Sequence, residues 1–182
     1  MIAQMLIAGV FMVGVSTAVI VAYLRAQKAA RAYSAHFITV LPGIPQEAPD
    51  SLGFHYRVWD QREVPELNRV RAALLLAVKA LDGVWLPVDI NASLNGIDII
   101  VKAEDAWLDG FGRRVGGLSL PGDTIAVGAN LSALAHELAH LLERKLDHLE
   151  DAEHARWDIG GITKADAAYR KALATMAKQE LT

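Results

Sequence analysis

The feature that most constrains this sequence is an apolar helical segment, "LSALAHELAHLLE", with two histidines and a glutamate at its centre. His136 and His140 are four residues apart, and Glu137 directly follows the first of them. On a helix, residues at this spacing differ by about 40° in direction and about 6 Å in height, so both imidazoles can reach one ion beside the helix. The surrounding leucines and alanines predict that the helix is buried. Buried imidazoles and a buried carboxylate need partners, and a metal ion is a partner that satisfies all three.

The glutamate of this H-E-x-x-H motif is placed for a catalytic role. Glu137 is rotated by about 100° from His136 around the helix, which puts its carboxylate next to the ion, where it can take a proton from a water that the metal activates. Because the chain contains no cysteine, the ligands must be histidines and carboxylates, and the histidines favour zinc over magnesium or calcium. The motif therefore predicts a Zn²⁺ site with Glu137 as general base. The alternative is a hydrogen-bonded structural cluster that binds no metal.

A catalytic zinc ion usually has three protein ligands, so a third ligand is expected beyond the motif. His148 lies eight residues after His140, which on a continuous helix is about 12 Å further along the axis and too far to share an ion. His148 could be the third ligand only if the helix ended near Arg144. His154 ends the acidic segment "LDHLEDAEH", which suits a loop that folds the chain back, and it is the preferred third ligand. The acidic alternatives that stay open are Glu150, Asp151, Glu153 and Asp158.

The N-terminal segment is the most hydrophobic part of the chain. As a helix, "MIAQMLIAGVFMVGVSTAVIVAYL" would reach roughly 36 Å, enough to cross a bilayer core of about 30 Å. We therefore expect a single-pass transmembrane helix. The flanking positive charges at Arg25, Lys28 and Arg31 all follow this segment, so the positive-inside rule predicts that the C-terminal domain is cytoplasmic. The alternatives are a cleaved signal peptide and an apolar helix buried in an oligomeric assembly.

The remaining sequence predicts an α+β domain with a short mixed sheet. Residues 1–33 are expected to form the anchor, 34–50 a proline-rich linker and 51–182 the domain. Helices are predicted over "VPELNRVRAALLLAVKALDG" and, with Thr163 as its cap, over "KADAAYRKALATMAKQEL". Asn130 is the expected cap of the motif helix. Strands are predicted at "GFHYRVW", "VWLPVDI" and "GIDIIVKA", and a strand, turn and strand at "RVGGLSLPGDTIAVG".

The motif region resembles the zincin metallopeptidases, in particular small divergent members found in phage and bacterial genomes. The resemblance rests on "HELAH", on the preceding "GGLSLPGDTIAVG" and on the later "HARW". It implies a short sheet packed on the active-site helix, with an edge strand that lines the substrate cleft and pairs with an extended peptide. It also implies that His154 is the third ligand and that Trp157 packs beneath the site. The oxyanion-stabilising residue cannot be assigned from the sequence, and Tyr169 and Arg156 are its candidates.

The chain departs from three zincin branches. Glu143 and Leu146 stand where the metzincin pattern requires glycine and histidine, no convincing E-x-x-x-D follows on a later helix, and no "GTxD" is present. The resulting hypothesis is a membrane-anchored zinc metallopeptidase that cleaves a peptide or protein substrate and binds Zn²⁺ through His136, His140 and His154. The alternative is a non-catalytic, membrane-anchored structural or assembly protein with a structural metal site. A net charge of −3 and a pI near 6.0 provide no basic face for nucleic acid.

Overall fold

A mixed sheet of five strands forms the centre of the fold in the computed structural model, which describes residues 46–47, 53–148 and 154–180. The strands among these residues are Gln46–Glu47 (β1), Tyr56–Asp60 (β2), Ile97–Val101 (β3), Trp107–Leu108 (β4), Arg114–Val115 (β5), Gly117–Leu120 (β6) and Thr124–Val127 (β7). The order in the large sheet is β1, β2, β3, β7, β6. Strands β2, β3 and β7 are parallel, whereas the outer strands β1 and β6 are antiparallel to their neighbours. Strands β4 and β5 form a separate antiparallel pair.

The described part of the chain also contains five α-helices. They are Leu67–Leu81 (α1), Pro87–Leu94 (α2), Leu134–Leu142 (α3), Trp157–Gly160 (α4) and Ile162–Gln179 (α5). Helix α3 continues directly into a π-helical turn at Glu143–Asp147. Helix α3 packs against β6, β7, α1 and α5, so the motif helix lies at the centre of the packing. All four residues of β7 are buried, as expected for a strand that neighbours cover on both faces.

Several of the predicted helices and strands are confirmed, and one predicted strand is wrong. The amphipathic helix is confirmed as α1, the strand at "GIDIIVKA" as β3, and the strand, turn and strand as β6 and β7. The strand predicted at "VWLPVDI" is wrong, because residues 87–94 form helix α2. Pro87 lies in the first turn of this helix, where its missing N–H is not needed. Ile90 and Leu94, four residues apart, then bury the same helical face.

Two further features concern an edge strand and the start of the last helix. Gln46–Glu47, inside the predicted linker 34–50, pairs with β2 as an edge strand. Helix α5 begins at Ile162 without a side-chain cap, so Thr163 is not its cap. Gly161, with a φ of +80°, separates α4 from α5 instead.

The structure corrects the prediction of a transmembrane helix. Across residues 46–47, 53–148 and 154–180, no helix is long and apolar enough to cross a membrane. Helix α5 has 18 residues, but it exposes charged side chains such as Lys164 and Lys171. This finding overturns the membrane-spanning part of the predicted fold class and the predicted single-pass localisation with a cytoplasmic domain. Residues 1–33, on which that prediction rests, lie outside the described residues.

Candidate metal centre

The start of helix α3 is fixed by a turn that Tyr169 holds in place. Leu131 in this turn has a φ of +60°, and the Tyr169 hydroxyl on α5 donates a hydrogen bond of 2.6 Å to the Leu131 carbonyl. Both side chains are buried. Asn130 accepts a hydrogen bond from the backbone N–H of Ser132 and so closes the turn. The prediction that Asn130 caps the helix is therefore wrong, since α3 begins only at Leu134 without a side-chain cap.

The structure brings the three predicted histidines together. The Nε2 atom of His154 lies 3.2 Å from Nε2 of His136 and 3.1 Å from Nε2 of His140. Each histidine offers one ligand atom, and these atoms all lie within 4.8 Å of one another. Nitrogens bound to a tetrahedral zinc ion at about 2.0–2.1 Å are about 3.3 Å apart, so the spacings from His154 fit a common ion. The cluster can therefore hold a metal ion.

The third histidine reaches the cluster through an uncommon backbone conformation. His154 has a φ of +59°, in the left-handed region that residues other than glycine rarely adopt. His148, at the end of the π-helical turn, is exposed and does not belong to the cluster. Asp158 is exposed on α4 and is not part of it either. The other acidic alternatives, Glu150, Asp151 and Glu153, lie outside the described residues.

An indole ring packs against all three imidazoles. The ring centroid of Trp157 lies 4.6 Å from that of His136, 4.7 Å from that of His140 and 4.2 Å from that of His154. Its Nε1 donates a hydrogen bond of 3.0 Å to the buried Glu143 carboxylate, which lies 3.7 Å from Nδ1 of His140. Trp157 thus occupies the place that the zincin resemblance implies. Together with Glu143 it restricts the orientation of the rings, as groups behind metal ligands commonly do.

The electrostatic surroundings of His136 favour its neutral form. Burial lowers the pKa of His136, and the charge of Asp166 partly opposes this effect. The neutral imidazole is the form that binds metal ions, so burial keeps His136 ready to act as a ligand. Asp166 itself forms an ion pair of 2.8 Å with Arg170 on the same helix. This pairing limits the negative charge that reaches the cluster.

The carboxylate of Glu137 lies between α3 and strand β6. Glu137 is only 6% exposed, and the backbone N–H of Ser119 donates a hydrogen bond to it. Burial raises the pKa of Glu137 to about 8, although the hydrogen bond from Ser119 and the charge of Arg144 act in the opposite direction. Gly117 makes this close approach possible, because a Cβ atom there would lie 2.6 Å from Cγ of Glu137. Glu137 is therefore held beside the histidine cluster without belonging to it.

A cleft of about 680 Å³ opens beside the cluster. Its walls come from β5 and the segment before it, from strand β6, from helix α3 with the turn after it, and from His154. A volume of this order is typical of ligand sites in proteins. Besides the histidines and Glu137, the lining residues are Phe111, Arg113, Arg114, Val115, Gly117, Leu118, Ser119 and Arg144.

Two residues close to the motif, Glu143 and Arg144, were not assigned a role at the site from the sequence. Glu143 is three residues after His140, and Arg144 is seven residues after Glu137. Residues at these spacings lie on the same side of a helix, and this pattern could have indicated both of them. The two candidates for the oxyanion do not line the cleft. The Tyr169 hydroxyl bonds to a backbone carbonyl elsewhere, and Arg156 is exposed.

Comparisons of the chain with protein-family models, with curated proteins and with solved structures found no match. The resemblance to zincins therefore stays a hypothesis that depends on the motif and on the geometry of the site.

Proposed function

We propose that this chain is a zinc-dependent peptidase whose active centre consists of His136, His140 and His154 with Glu137 beside them. The observation that carries the proposal is the position of His154 Nε2, which lies 3.2 Å from Nε2 of His136 and 3.1 Å from Nε2 of His140, spacings that fit one tetrahedral ion. A donor set made only of histidines favours zinc over magnesium or calcium. Three protein ligands leave a coordination position free for water or substrate, as in catalytic zinc sites.

The side chains have distinct roles in this proposal. A bound zinc ion would supply an activated water and polarise the carbonyl of the scissile peptide bond. In its ionised form, Glu137 accepts the proton of the attacking water and transfers it to the nitrogen of the leaving amine. The hydrogen bond from Ser119 and the contact with Gly117 fix the Glu137 carboxylate in advance, so little reorientation is needed during the reaction.

Strand β6 provides a surface for the substrate. It is the outermost strand of the large sheet in the part of the chain that the structure describes, and three of its residues line the cleft. The outward N–H and C=O groups of an edge strand can pair with an extended peptide, and in β6 the Ser119 N–H is the group already bonded to Glu137. A peptide bound in this way would place a backbone carbonyl near the cluster and Glu137.

The competing hypothesis is a non-catalytic protein with a structural metal site. Structural zinc sites are usually closed by four protein ligands. Among the described residues, the cluster has three histidines and faces a cleft that solvent can enter. This difference supports the catalytic hypothesis over the structural one.

Replacing the general base separates the two hypotheses. The zinc-loaded full chain should hydrolyse members of a mixed peptide library, with the products detected by mass spectrometry. Glu137→Gln should bind as much zinc and unfold at the same temperature, yet lose about 10²- to 10⁴-fold in rate, the contribution of general base catalysis. Glu63→Gln, at an exposed position, should match the wild type. A zinc-loaded wild type without hydrolysis, or full activity in Glu137→Gln, would contradict the proposal.

A further inference from the structure

The cleft is lined mainly by positive charge. Arg113, Arg114 and Arg144 line it, and among the described residues no acidic side chain other than Glu137 does so. The chain as a whole has a net charge of −3, so the positive charge of these arginines is opposite in sign to the net charge of the protein. A cleft lined by one sign of charge concentrates ligands of the opposite sign.

One of these arginines is already neutralised by a structural partner. Arg113 forms an ion pair of 2.7 Å with the Asp109 carboxylate, which is buried. The same carboxylate also accepts hydrogen bonds from the backbone N–H groups of Phe111 and Arg113. Arg113 therefore stabilises the loop between β4 and β5 and adds little net charge to the cleft.

The other two arginines have no bonded carboxylate among the described residues. The side chain of Arg114 is exposed and forms no hydrogen bond or ion pair with the described residues. Arg144 donates hydrogen bonds to the Ser119 hydroxyl at 2.8 Å and to the Leu120 carbonyl at 3.3 Å, and both acceptors are neutral. Arg144 thus lies at the carboxyl end of β6, whereas Arg114 comes three residues before the amino end of this strand.

We propose that the cleft selects acidic peptides, with aspartate or glutamate side chains bound by Arg114 and Arg144 near the two ends of β6. A guanidinium group matches a carboxylate in shape and can form two parallel hydrogen bonds with it. The edge strand supplies the backbone pairing that a peptide requires. The preference for acidic substrates rests on the proposed peptidase function, but the binding preference itself can be measured without turnover.

Binding is measured on the zinc-loaded Glu137→Gln full chain with three fluorescent peptides. They carry glutamate, glutamine or lysine at every second position with alanine between, because alternate residues of an extended strand lie on the same face. By fluorescence anisotropy at low salt, the glutamate peptide should bind about fivefold to tenfold more tightly than the glutamine peptide, the scale expected for two exposed ion pairs. The lysine peptide should bind most weakly.

Charge variants assign this preference to the cleft. In the same Glu137→Gln background, Arg114→Glu should remove most of the preference for the glutamate peptide, and Arg114→Gln should reduce it by a smaller factor. Lys171→Glu makes the same charge change on the exposed face of α5, away from the cleft lining, and should keep the preference. Raising the salt concentration should reduce the preference of the Glu137→Gln chain with both arginines present, because these charges are accessible to solvent.

The outcomes separate this inference from the proposed function. Equal binding of the glutamate and glutamine peptides, or an equal loss of preference in Lys171→Glu and Arg114→Glu, would overturn the inference. Tighter binding of a short thymidine oligomer than of the glutamate peptide would overturn it in favour of nucleic acid. If the zinc-loaded wild type cleaves all three peptides at equal rates, the inference fails and the peptidase function stands. If it cleaves none of them while the binding preference persists, the peptidase function fails and the acidic-peptide site stands.

Discussion

The indole Nε1 of Trp157 donates a hydrogen bond of 3.0 Å to the Glu143 carboxylate, and both residues are buried. The same indole ring contacts the imidazoles of His136, His140 and His154. Trp157 and Glu143 thus fix the orientation of the three imidazole rings, although neither residue is a ligand in the cluster. Loss of this hydrogen bond is therefore expected to weaken metal binding while the three histidines remain.

Trp157→Phe tests this positioning role. Phenylalanine keeps an aromatic ring against the imidazoles but cannot donate to Glu143, so zinc affinity should fall by about tenfold, the lower end of what is lost when groups behind the ligands are changed. Affinity is measured by competition with a chromophoric chelator. Trp59→Phe is the matched control, because Trp59 on β2 also donates its Nε1 hydrogen to a carboxylate, that of Asp98, at 2.9 Å. Equal zinc affinity in both variants would argue against a role of Trp157 at the site.

Gly117→Ala should displace the general base without removing a ligand. A Cβ atom at this position would lie 2.6 Å from Cγ of Glu137 and 2.8 Å from the Cβ of Ala133, so the Glu137 side chain has to move. Because misplacement by about 1 Å can cost about 100-fold in rate, we expect a loss of that order in kcat/KM with unchanged zinc content. Gly83→Ala is the control, since a Cβ there meets no atom within 4 Å. Unchanged kcat/KM in Gly117→Ala would show that this contact does not hold the carboxylate in place.

The motif residues could be predicted from the sequence because their geometry is local. His136 and His140 are related by the pitch of one helix, and that relationship does not depend on the rest of the fold. The meeting of Arg114 and Arg144 in one cleft depends on how β5 and the turn after α3 pack, which no local pattern specifies. The helix at Pro87 was missed for a related reason, since a short apolar segment with β-branched residues suits a strand as well as a buried helix.

Asp60 is expected to make the stability of the fold depend on pH. Its side chain accepts hydrogen bonds from the Arg62 guanidinium at 2.9 and 2.5 Å and from the backbone N–H of Glu66 at 2.9 Å. Burial raises the pKa of Asp60, but these bonds lower it by more, so its pKa lies below the ordinary value. A carboxyl group of this kind stabilises the fold above its unfolded pKa of about 4, and this contribution is lost as pH falls through the lower folded value.

Asp60→Asn removes this contribution. The variant should lose about 2–3 kcal/mol in the free energy of unfolding at neutral pH, because a buried charged partner of Arg62 is gone. Urea denaturation at a series of pH values should show that the gap to the wild type narrows below about pH 4. Asp82→Asn, at the exposed end of α1, should show no such gap. A gap of constant size at every pH would mean that the ionised carboxylate of Asp60 is not its source.

The most direct measurement is the zinc bound per chain by the wild type and by alanine variants of single histidines. After dialysis against a competing chelator, elemental analysis of the wild type should give about one zinc ion per chain, as expected for a single site with three ligands. His136→Ala, His140→Ala and His154→Ala should each retain almost none, whereas His148→Ala should match the wild type, because His148 lies outside the cluster. A wild type without zinc, or full retention in His154→Ala, would contradict the convergence of these three side chains on one metal ion.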